Sequence, residues 1–413
     1  MTFIFKDFIS NHNLVAILIV ITNSIMVVIF LAKYKAKIAI VLFISFFIRV
    51  MVMFWDIYGN GMLSIPHSGG DTENYLINGM SIVSNPTLLL ENIYGGLYTK
   101  ILGALLIIGP ESRIIPQYIN ILLSLSSILL VINILKKLLV SKKFFMLAII
   151  IYALFPHSII FSSILLRESL VTFLVTLSIY YLVRWYKDQN VVQIAMSILI
   201  ILIAASFHSG VIGILIGIIF LYFFYSHSKN KLKYSVYSSI KFVVVLIAVI
   251  SVLSIGIENI PILNKFTQYA RDIEDIYLIA SGGDDGGSSY LTGLPINSFV
   301  TLIIFAPIKI LYFLTSPLPW DWRGVTDIFS FVFDSSFYIM TFYLILKNIK
   351  STYNNQPLLI SILIGLFSTI LIFSIGVSNT GTGMRHRYKM FFVLIIIVIM
   401  MLNKKIRRDD NYE

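Results

Sequence analysis

Long apolar runs recur along the whole chain, and they limit its fold more than any other feature. A run of roughly 17–25 apolar residues is long enough to cross the ~30 Å hydrocarbon core of a bilayer. Of the 413 residues, 58% are hydrophobic and only 12% are charged, whereas soluble globular domains have about 25% charged residues. The sequence therefore predicts an all-α polytopic membrane protein, with a single integral-membrane domain over residues 1–413.

About eleven runs are predicted to be transmembrane helices, because each can span the core. They lie near 14–33, 38–55, 114–135, 143–160, 168–185, 190–206, 210–225, 233–256, 326–346, 357–376 and 387–403. Basic linkers mark the cytoplasmic side. Their positions put the N-terminus outside and the C-terminus in the cytoplasm.

Two long loops, 56–113 and 257–325, then lie on the predicted outer face. Loops of this length in a compact membrane protein tend to be functional. Residues 79–110 are interrupted by Pro and Gly, which predicts short interfacial helices. Residues 296–316 are apolar enough to span, but a span there would place the basic tail outside. We therefore expect a re-entrant or in-plane helix at 296–316.

Charge and composition exclude several classes of function. The net charge of +11 is spread over short loops, which is typical of topology-setting loops and does not indicate a nucleic-acid partner. The chain has no cysteine, which excludes disulfides, thiol catalysis and cysteine-ligated metals. Walker A and G-x-S-x-G motifs are absent, so the sequence supports neither ATP-driven transport nor a nucleophile-elbow hydrolase. No metal-ligand spacing joins the histidines, of which five fall in predicted outer segments: His12, His67, His157, His208 and His386.

The stretch "GGDTENY" (69–75) places Asp71 and Glu73 in the first outer loop. Two carboxylates at this spacing can bind a divalent cation or supply a general base for a hydroxyl. Asp71 can instead cap the helix that follows. The two interpretations are compatible, because a cap at Asp71 would leave Glu73 free.

Two further predicted outer segments carry ionisable residues at helix ends. "FPHSIIFSSILLRESL" (155–170) places Arg167 and Glu168 at the start of an apolar helix. Adjacent residues point in different directions on a helix, so we expect each to find its partner elsewhere in the bundle; the alternative is an interfacial ion pair. "ASFHSG" (205–210) places His208 at an outer turn, where a structural cap is the alternative to function.

"SPLPWDWRG" (316–324) follows the predicted in-plane helix. Trp320 and Trp322 are natural anchors at a membrane interface. Asp321 and Arg323 beside them can contact a lipid headgroup.

"GTGMRHRYKM" (381–390) concentrates basic residues on the predicted outer face, where Lys and Arg are usually scarce. Glycines before a helix leave backbone N–H groups free, and Arg385 and Arg387 add planar donors, flanked by His386 and Tyr388. This combination suits a phosphate or diphosphate. The alternative is a charge cluster bound to anionic lipid, and Lys389 is expected only to snorkel.

Residues 165–216 resemble the EpsG/Wzy-like polysaccharide polymerases of bacterial envelope gene clusters. In that family an outer Arg opens a helix, the chain returns through a basic cytoplasmic turn, and the next helix ends in an F-H-S-like turn. Arg167 and the turn Phe207–His208–Ser209 match this pattern. The outer Asp-containing loop, "SPLPW" and "RHRY" resemble features of lipid-linked-sugar glycosyltransferases with the GT-C architecture. Glu168 departs from the pattern, because many relatives have a neutral residue there.

The resemblance implies a GT-C-like bundle in the cytoplasmic membrane of a bacterium. It implies a polymerase that joins polyprenyl-diphosphate-linked oligosaccharide repeat units into a capsule, O-antigen or exopolysaccharide at the outer face. Membrane lipids, a chain-length regulator and a flippase are the implied partners beside undecaprenyl-diphosphate-linked oligosaccharide.

In such a reaction an acceptor hydroxyl attacks the anomeric carbon of a sugar on undecaprenyl diphosphate. Fixed cations must stabilise the leaving diphosphate, and Arg385, Arg387 and Arg167 are the candidates. A base must take the hydroxyl proton, and the candidates in falling order are Asp71, Glu73, Glu168 and His208. No cofactor or metal is expected, because arginines can neutralise the leaving group. If a cation is used, Asp71 and Glu73 are its expected ligands.

Two alternatives stay open. One is a transferase that takes a single sugar from a polyprenyl monophosphate, with "DTE" binding a cation. The other is a flippase or transporter of the same lipid, which predicts cations along the bundle interior and helices broken at mid-depth. The predicted spans are almost free of charge and the ionisable residues collect on one side, which favours chemistry at one face.

Overall fold

A computed structural model describes residues 10–59, 64–254, 277, 280–282, 286–352 and 356–409. Residues 257–276 of the second predicted outer loop, and 60–63 of the first, lie outside the described residues. In the described part, regular strands occur only as a short antiparallel pair, β1 (Tyr225–Ser226) and β2 (Lys231–Leu232). The predicted class, an all-α polytopic membrane protein, is confirmed at this level.

The helices follow the chain in order, and most coincide with predicted apolar runs. They are α1 (Asn11–Leu31), α2 (Ala36–Tyr58), α3 (Asp71–Ser84), α4 (Leu97–Ile108), α5 (Ile114–Lys137), α6 (Lys142–Leu154), α7 (Pro156–Ser163), α8 (Glu168–Asp188), α9 (Val191–Phe207), α10 (Gly213–Phe224), α11 (Val236–Ser254), α12 (Phe299–Thr315), α13 (Val325–Ser330), α14 (Ser336–Thr352), α15 (Pro357–Gly376) and α16 (Thr380–Asp409).

Seven helices of the described residues are long and apolar enough to cross a membrane, against about eleven predicted. They are Asn11–Leu31, Ala36–Tyr58, Ile114–Lys137, Glu168–Asp188, Val325–Ile349, Pro357–Gly376 and Thr380–Asn403. The span Val325–Ile349 takes in α13 and most of α14. The pair α6–α7, bent by 45°, makes an eighth if it is counted as one span. The other three predicted positions hold α9, α10 and α11, which are apolar but shorter than the seven candidate spans. The 17 residues of α9 rise only about 25 Å at 1.5 Å per residue.

The chain divides into two compact units, and the single integral-membrane domain stays a prediction. The first unit combines Met1–Leu129 with Met146–Phe173, and the second combines Leu130–Phe145 with Leu174–Glu413. In the first unit, α3 packs on α4 and α2 packs on α7. The short helices α3 and α4, separated by a 3-10 turn at Pro86–Leu89, agree with the interruptions seen in residues 79–110.

In the second unit, α10 packs closely against α15, and this contact depends on glycine. A Cβ atom at Gly213 would lie 2.3 Å from the Thr369 backbone nitrogen, and one at Gly217 would lie 2.3 Å from the Ser361 carbonyl oxygen. The Ser361 hydroxyl donates to the Gly217 carbonyl at 2.8 Å. This G-x-x-x-G arrangement is typical of helices that pack tightly inside membranes.

The segment 296–316 forms a helix, α12, which packs in the second unit against α15 and α16. Its in-plane orientation stays a prediction. Ser298 caps it, accepting from the Thr301 backbone N–H at 3.3 Å. The helix carries a fully buried lysine, Lys309, whose ammonium donates to the Ala280 carbonyl at 2.6 Å and to the Ser378 hydroxyl at 3.0 Å.

Candidate functional site

The first outer carboxylate, Asp71, is the first residue of α3 and does not cap it. Gly70 is the N-cap residue, and the side-chain contact at this end comes from Thr72, whose hydroxyl accepts from the Gly69 N–H at 2.9 Å. The proposed cap is therefore wrong. Asp71 lies in the first turn, where the helix dipole favours a negative charge, and it accepts a hydrogen bond from the Tyr94 hydroxyl.

The second outer carboxylate, Glu73, was expected to be free but is paired with an arginine. Arg113, just before α5, pairs through Nη1 with Glu73 and through Nη2 with Asp56 Oδ2, the latter at 2.9 Å. The Asp56 side chain is fully buried, whereas that of Glu73 is 45% exposed. Burying Asp56 without this partner would be costly, so Arg113 fixes the end of α2 to the start of α3.

Gln117, one helical turn after Arg113, extends this pairing to the backbone before Arg167. Its Nε2 atom donates to Asp56 Oδ2 at 2.7 Å and to the Ser163 carbonyl at 3.2 Å. Gln117 is completely buried. A continuous chain of polar contacts therefore runs from Glu73 through Arg113, Asp56 and Gln117 to the end of α7.

The backbone between α7 and α8 is not helical, and α5 supplies the donors that it needs. Asn120 Nδ2 donates to the Ile164 carbonyl at 3.0 Å and to the Leu166 carbonyl at 2.8 Å. Buried carbonyls outside a helix must find such partners, especially in a membrane. Gln117 and Asn120 thus hold the segment that delivers Arg167 to the start of α8.

A buried arginine, Arg49, stabilises the bend between α6 and α7. It is 1% exposed and donates to Ser162 Oγ at 2.9 Å, Ser158 Oγ at 3.0 Å and the Ala153 carbonyl at 2.7 Å. Arg49 was not among the residues predicted to be functional. The sequence could have singled it out as a lone arginine in the apolar run "FFIRVMV", because an ionisable residue within a span is by default a candidate functional residue.

The Tyr75 ring lies 5.7 Å from that of Tyr94, and the charges of Arg167, Glu168 and Asp71 act on the Tyr75 phenol. We call these five residues the Tyr75 cluster. Burial raises the pKa of the Tyr75 phenol; the Arg167 guanidinium opposes the rise, and the carboxylates of Glu168 and Asp71 add to it. Glu168 is 4% exposed, and Arg167 is half-buried. The Arg167 Nε atom is buried and has no hydrogen-bond acceptor among the described residues.

Of the predicted carboxylate and arginine candidates, Asp71, Arg167 and Glu168 of the first unit therefore all act on Tyr75. Glu73 faces Arg113 instead. Asp71 remains half-buried, so its carboxylate is accessible to a ligand. The arrangement combines a permanent cation that has an unused donor with an accessible carboxylate, which suits proton removal beside a developing negative charge.

In the second unit the structure brings together two histidines that the sequence analysis named. The rings of His208 and His386 lie 4.4 Å apart, nearly perpendicular, and both contact the Phe373 ring. His386 Nδ1 lies 2.7 Å from the Thr382 carbonyl. Both histidines are half-buried, as is Arg385 on the same helix.

The glycines of "GTGMRHRYKM" do not leave all of their N–H groups free. α16 begins at Thr380, and the Asn379 side chain accepts from the N–H groups of Gly381 at 2.9 Å and Thr382 at 3.2 Å. Asparagine at this position is a strong helix cap. The expected anion site on these two backbone donors is therefore wrong.

Arg387 and Tyr388 lie in the core of the second unit, away from any accessible surface. Arg387 is fully buried, 2.5 Å from Asp334 Oδ2, and it donates to the carbonyls of Phe313 at 3.2 Å and Ser316 at 2.7 Å. Asp334 belongs to a π-helical turn, Phe331–Ser335. Such turns are frequent at functional sites, and this one places the carboxylate against Arg387.

Lys389 was expected to snorkel, and this is wrong: it is fully buried, with its ammonium 5.8 Å from the Phe373 ring centroid. The predicted spans were also expected to be almost free of charge. Arg49, Asp334, Arg387 and Lys389 contradict this, because all four are buried within candidate spans.

The "SPLPW" segment presents Trp320 and Arg323 at the surface of the second unit. Trp320 is 71% exposed, and its Nε1 donates to the Tyr312 hydroxyl at 3.2 Å. The exposed Arg323 donates from Nη2 to the Ser289 carbonyl at 3.1 Å. Both placements are compatible with a headgroup contact.

No group of three or more His, Asp or Glu side chains within the described ranges is arranged to hold a metal ion. Comparisons with protein-family models, with curated proteins and with solved structures found no match to this chain. The site must therefore be interpreted from its own geometry.

Proposed function

We propose that this chain is a membrane glycosyltransferase that polymerises polyprenyl-diphosphate-linked oligosaccharide repeat units at the outer face of a bacterial cytoplasmic membrane. The Tyr75 cluster of the first unit is the reacting site. The observation that carries the proposal is that a buried Arg167 donor has no acceptor among the described residues, while Arg167 and the half-buried Asp71 carboxylate both act electrostatically on Tyr75.

In the proposed reaction, the acceptor hydroxyl oxygen bonds to the anomeric carbon of the donor sugar. The bond from that carbon to the diphosphate oxygen breaks, and its electron pair leaves with the diphosphate. The hydroxyl proton passes to Asp71, the accessible carboxylate of the cluster. Glu73 is less suitable as the base, because its carboxylate is already paired with Arg113.

Arg167 stabilises the charge that develops on the leaving diphosphate. Its guanidinium is planar and permanently charged, and therefore suits a phosphate oxygen better than an ammonium does. Arg385 and His386 of the second unit are separate candidates for binding an anionic headgroup. Arg387 acts by positioning, since its Nη atoms already contact Asp334 and two carbonyls.

The experiment that tests the function is deletion of the gene followed by gel analysis of the envelope glycan. A polymerase predicts single repeat units in place of a ladder. An unchanged ladder would rule the function out. Transfer from a polyprenyl monophosphate would instead require the cation expected at "DTE", and activity that survives a chelator would argue against that version.

A second candidate, transport of the same lipid, is favoured by the bend and buried charge of the first unit. The 45° break at α6–α7 and Arg49 inside α2 are features that a transporter predicts. The location of the accumulated lipid-linked units in the deletion strain separates the two functions. A polymerase leaves them open to a membrane-impermeant glycosidase added from outside, and a flippase leaves them protected.

A further inference from the structure

We propose that Tyr94 is the surface on which a sugar ring of the substrate packs, with the Asp71 carboxylate and the Arg167 guanidinium serving that sugar's hydroxyl groups. This inference rests on the proposed function and extends it to a carbohydrate subsite. Nothing in the sequence analysis singled out Tyr94.

The Tyr94 ring is exposed on one side and tethered at its polar end. It is 45% exposed, and its hydroxyl donates to Asp71. Because the hydroxyl is held by the protein, the accessible part of the side chain is its apolar ring. A pyranose has the complementary surface, with one face of C–H groups and a rim of hydroxyls, so it matches an aromatic ring beside a few fixed polar groups.

The ring is held in place from behind. The Tyr75 ring lies 5.7 Å from that of Tyr94 and 5.0 Å from that of Tyr98, and Tyr75 is only 3% exposed. The chain then turns through Gly95 at φ 77°. A Cβ atom there would lie 2.4 Å from Tyr75 Cε1 and 2.3 Å from Thr99 Oγ1, so the loop fits closely on the tyrosines. Rigid placement lowers the entropy cost of binding.

The charged residues around the ring supply both a hydrogen-bond acceptor and a hydrogen-bond donor. Burial raises the pKa of the Tyr94 phenol and the Asp71 carboxylate raises it further, while the Arg167 guanidinium lowers it. Tyr94 is therefore a neutral donor to Asp71 at physiological pH. The Asp71 carboxylate is thus an acceptor in contact with the polar end of the exposed ring, and the Arg167 guanidinium is a donor whose charge acts on the same phenol. A tyrosine that only anchors the protein at a membrane interface has no need of either.

Saturation-transfer difference NMR on the full chain in lipid nanodiscs tests the subsite directly. The probes are the methyl glycosides of glucose, galactose, rhamnose, N-acetylglucosamine and glucuronic acid. We expect transfer to the ring C–H protons of at least one probe, and binding roughly tenfold weaker in Tyr94→Leu, which removes the aromatic ring. Tyr94→Phe keeps the ring and should bind within about threefold of the unchanged chain, since it loses one hydrogen bond.

Leu90→Ala is the matched control, because Leu90 is 89% exposed in the same loop and should leave binding unchanged. No transfer to any probe, or equal binding in Tyr94→Leu, would overturn the subsite; equal binding would identify Tyr94 as an interface anchor. The measurement needs no sugar transfer. Binding without polymerisation would therefore reject the proposed function alone, and polymerisation without binding would reject the subsite alone.

Discussion

Gln117 and Asp56 are joined by a 2.7 Å hydrogen bond, and the same Asp56 oxygen accepts from Arg113 at 2.9 Å. One buried carboxylate oxygen therefore links two residues of the α5 region. Gln117 reaches the backbone before Arg167, and Arg113 reaches Glu73 on α3. The start of α3 and the backbone before Arg167 are thus held by the same set of contacts. Substitutions at Arg113 or Gln117 should therefore affect the Tyr75 cluster without touching it directly.

Replacing Arg113 should destabilise the fold through Asp56. Arg113→Gln leaves a fully buried carboxylate without its cation, which costs about 3 kcal/mol. Thermal unfolding in detergent should show a lowered midpoint, and adding Asp56→Asn should restore most of the loss because the stranded charge is gone. If Arg113→Gln alone unfolds at the midpoint of the unchanged chain, the ion pair contributes nothing to stability.

Replacing Gln117 should shift Arg167 without abolishing folding. Gln117→Leu removes the donors to Asp56 and to the Ser163 carbonyl, and misplacing a reacting group by 1 Å can lower a rate roughly 100-fold. Because the chain has no cysteine, Arg167→Cys provides a unique label. The rate at which a membrane-impermeant maleimide modifies it should change several-fold when Gln117→Leu is added.

Ser124→Ala is the control for that experiment. Ser124 is 1% exposed on the same helix, two turns further on, and its hydroxyl has no hydrogen-bond partner within the described residues. Its removal should leave the labelling rate unchanged. Equal labelling in the Gln117→Leu and Ser124→Ala chains would mean that Gln117 does not position residue 167.

Arg387 should behave as a structural arginine. An ammonium cannot serve Asp334 and the carbonyls of Phe313 and Ser316 with the same geometry, so Arg387→Lys should cost roughly 2–3 kcal/mol. The unfolding midpoint in detergent is the measurement. A variant that keeps full stability but loses substrate affinity would return Arg387 to the role of a direct ligand.

Arg385 should show the opposite pattern. It is half-buried on the same helix, and as a planar anion ligand it should lose about tenfold in activity when changed to lysine, with the unfolding midpoint unchanged. Glycan ladders from cells that carry Arg385→Lys provide the readout. Full activity of this variant would mean that planar, bidentate recognition is the wrong idea.

The sequence predicted the class of fold and singled out three residues of the Tyr75 cluster, because the responsible signals are local. Apolar runs and basic linkers can be found without knowing any contact, and Asp71, Arg167 and Glu168 stood out as charges at helix starts. The number of spans could not be predicted in the same way, since hydropathy does not show that α9 ends at Phe207 or that α6 and α7 meet at a bend.

Contacts between distant residues were not predictable from these local patterns. Arg113 and Gln117 look ordinary in the sequence, and their importance appears only when α5 meets Asp56 and Ser163. Arg387 looked accessible because it lies in a basic stretch, but its carboxylate partner, Asp334, is 53 residues away along the chain (387 minus 334). A buried pair of this kind cannot be separated from a surface cluster without knowing the packing.

The central claim is that Arg167 and Asp71 carry out sugar transfer, and complementation of the deletion strain tests it most directly. Plasmids should carry the unchanged gene, Arg167→Gln, Asp71→Asn or the control Leu90→Ala, with protein levels matched by immunoblot. Loss of a transition-state donor costs on the order of 100-fold or more, so both site variants should yield single repeat units while Leu90→Ala restores the ladder. A full ladder from Arg167→Gln or Asp71→Asn would contradict the account.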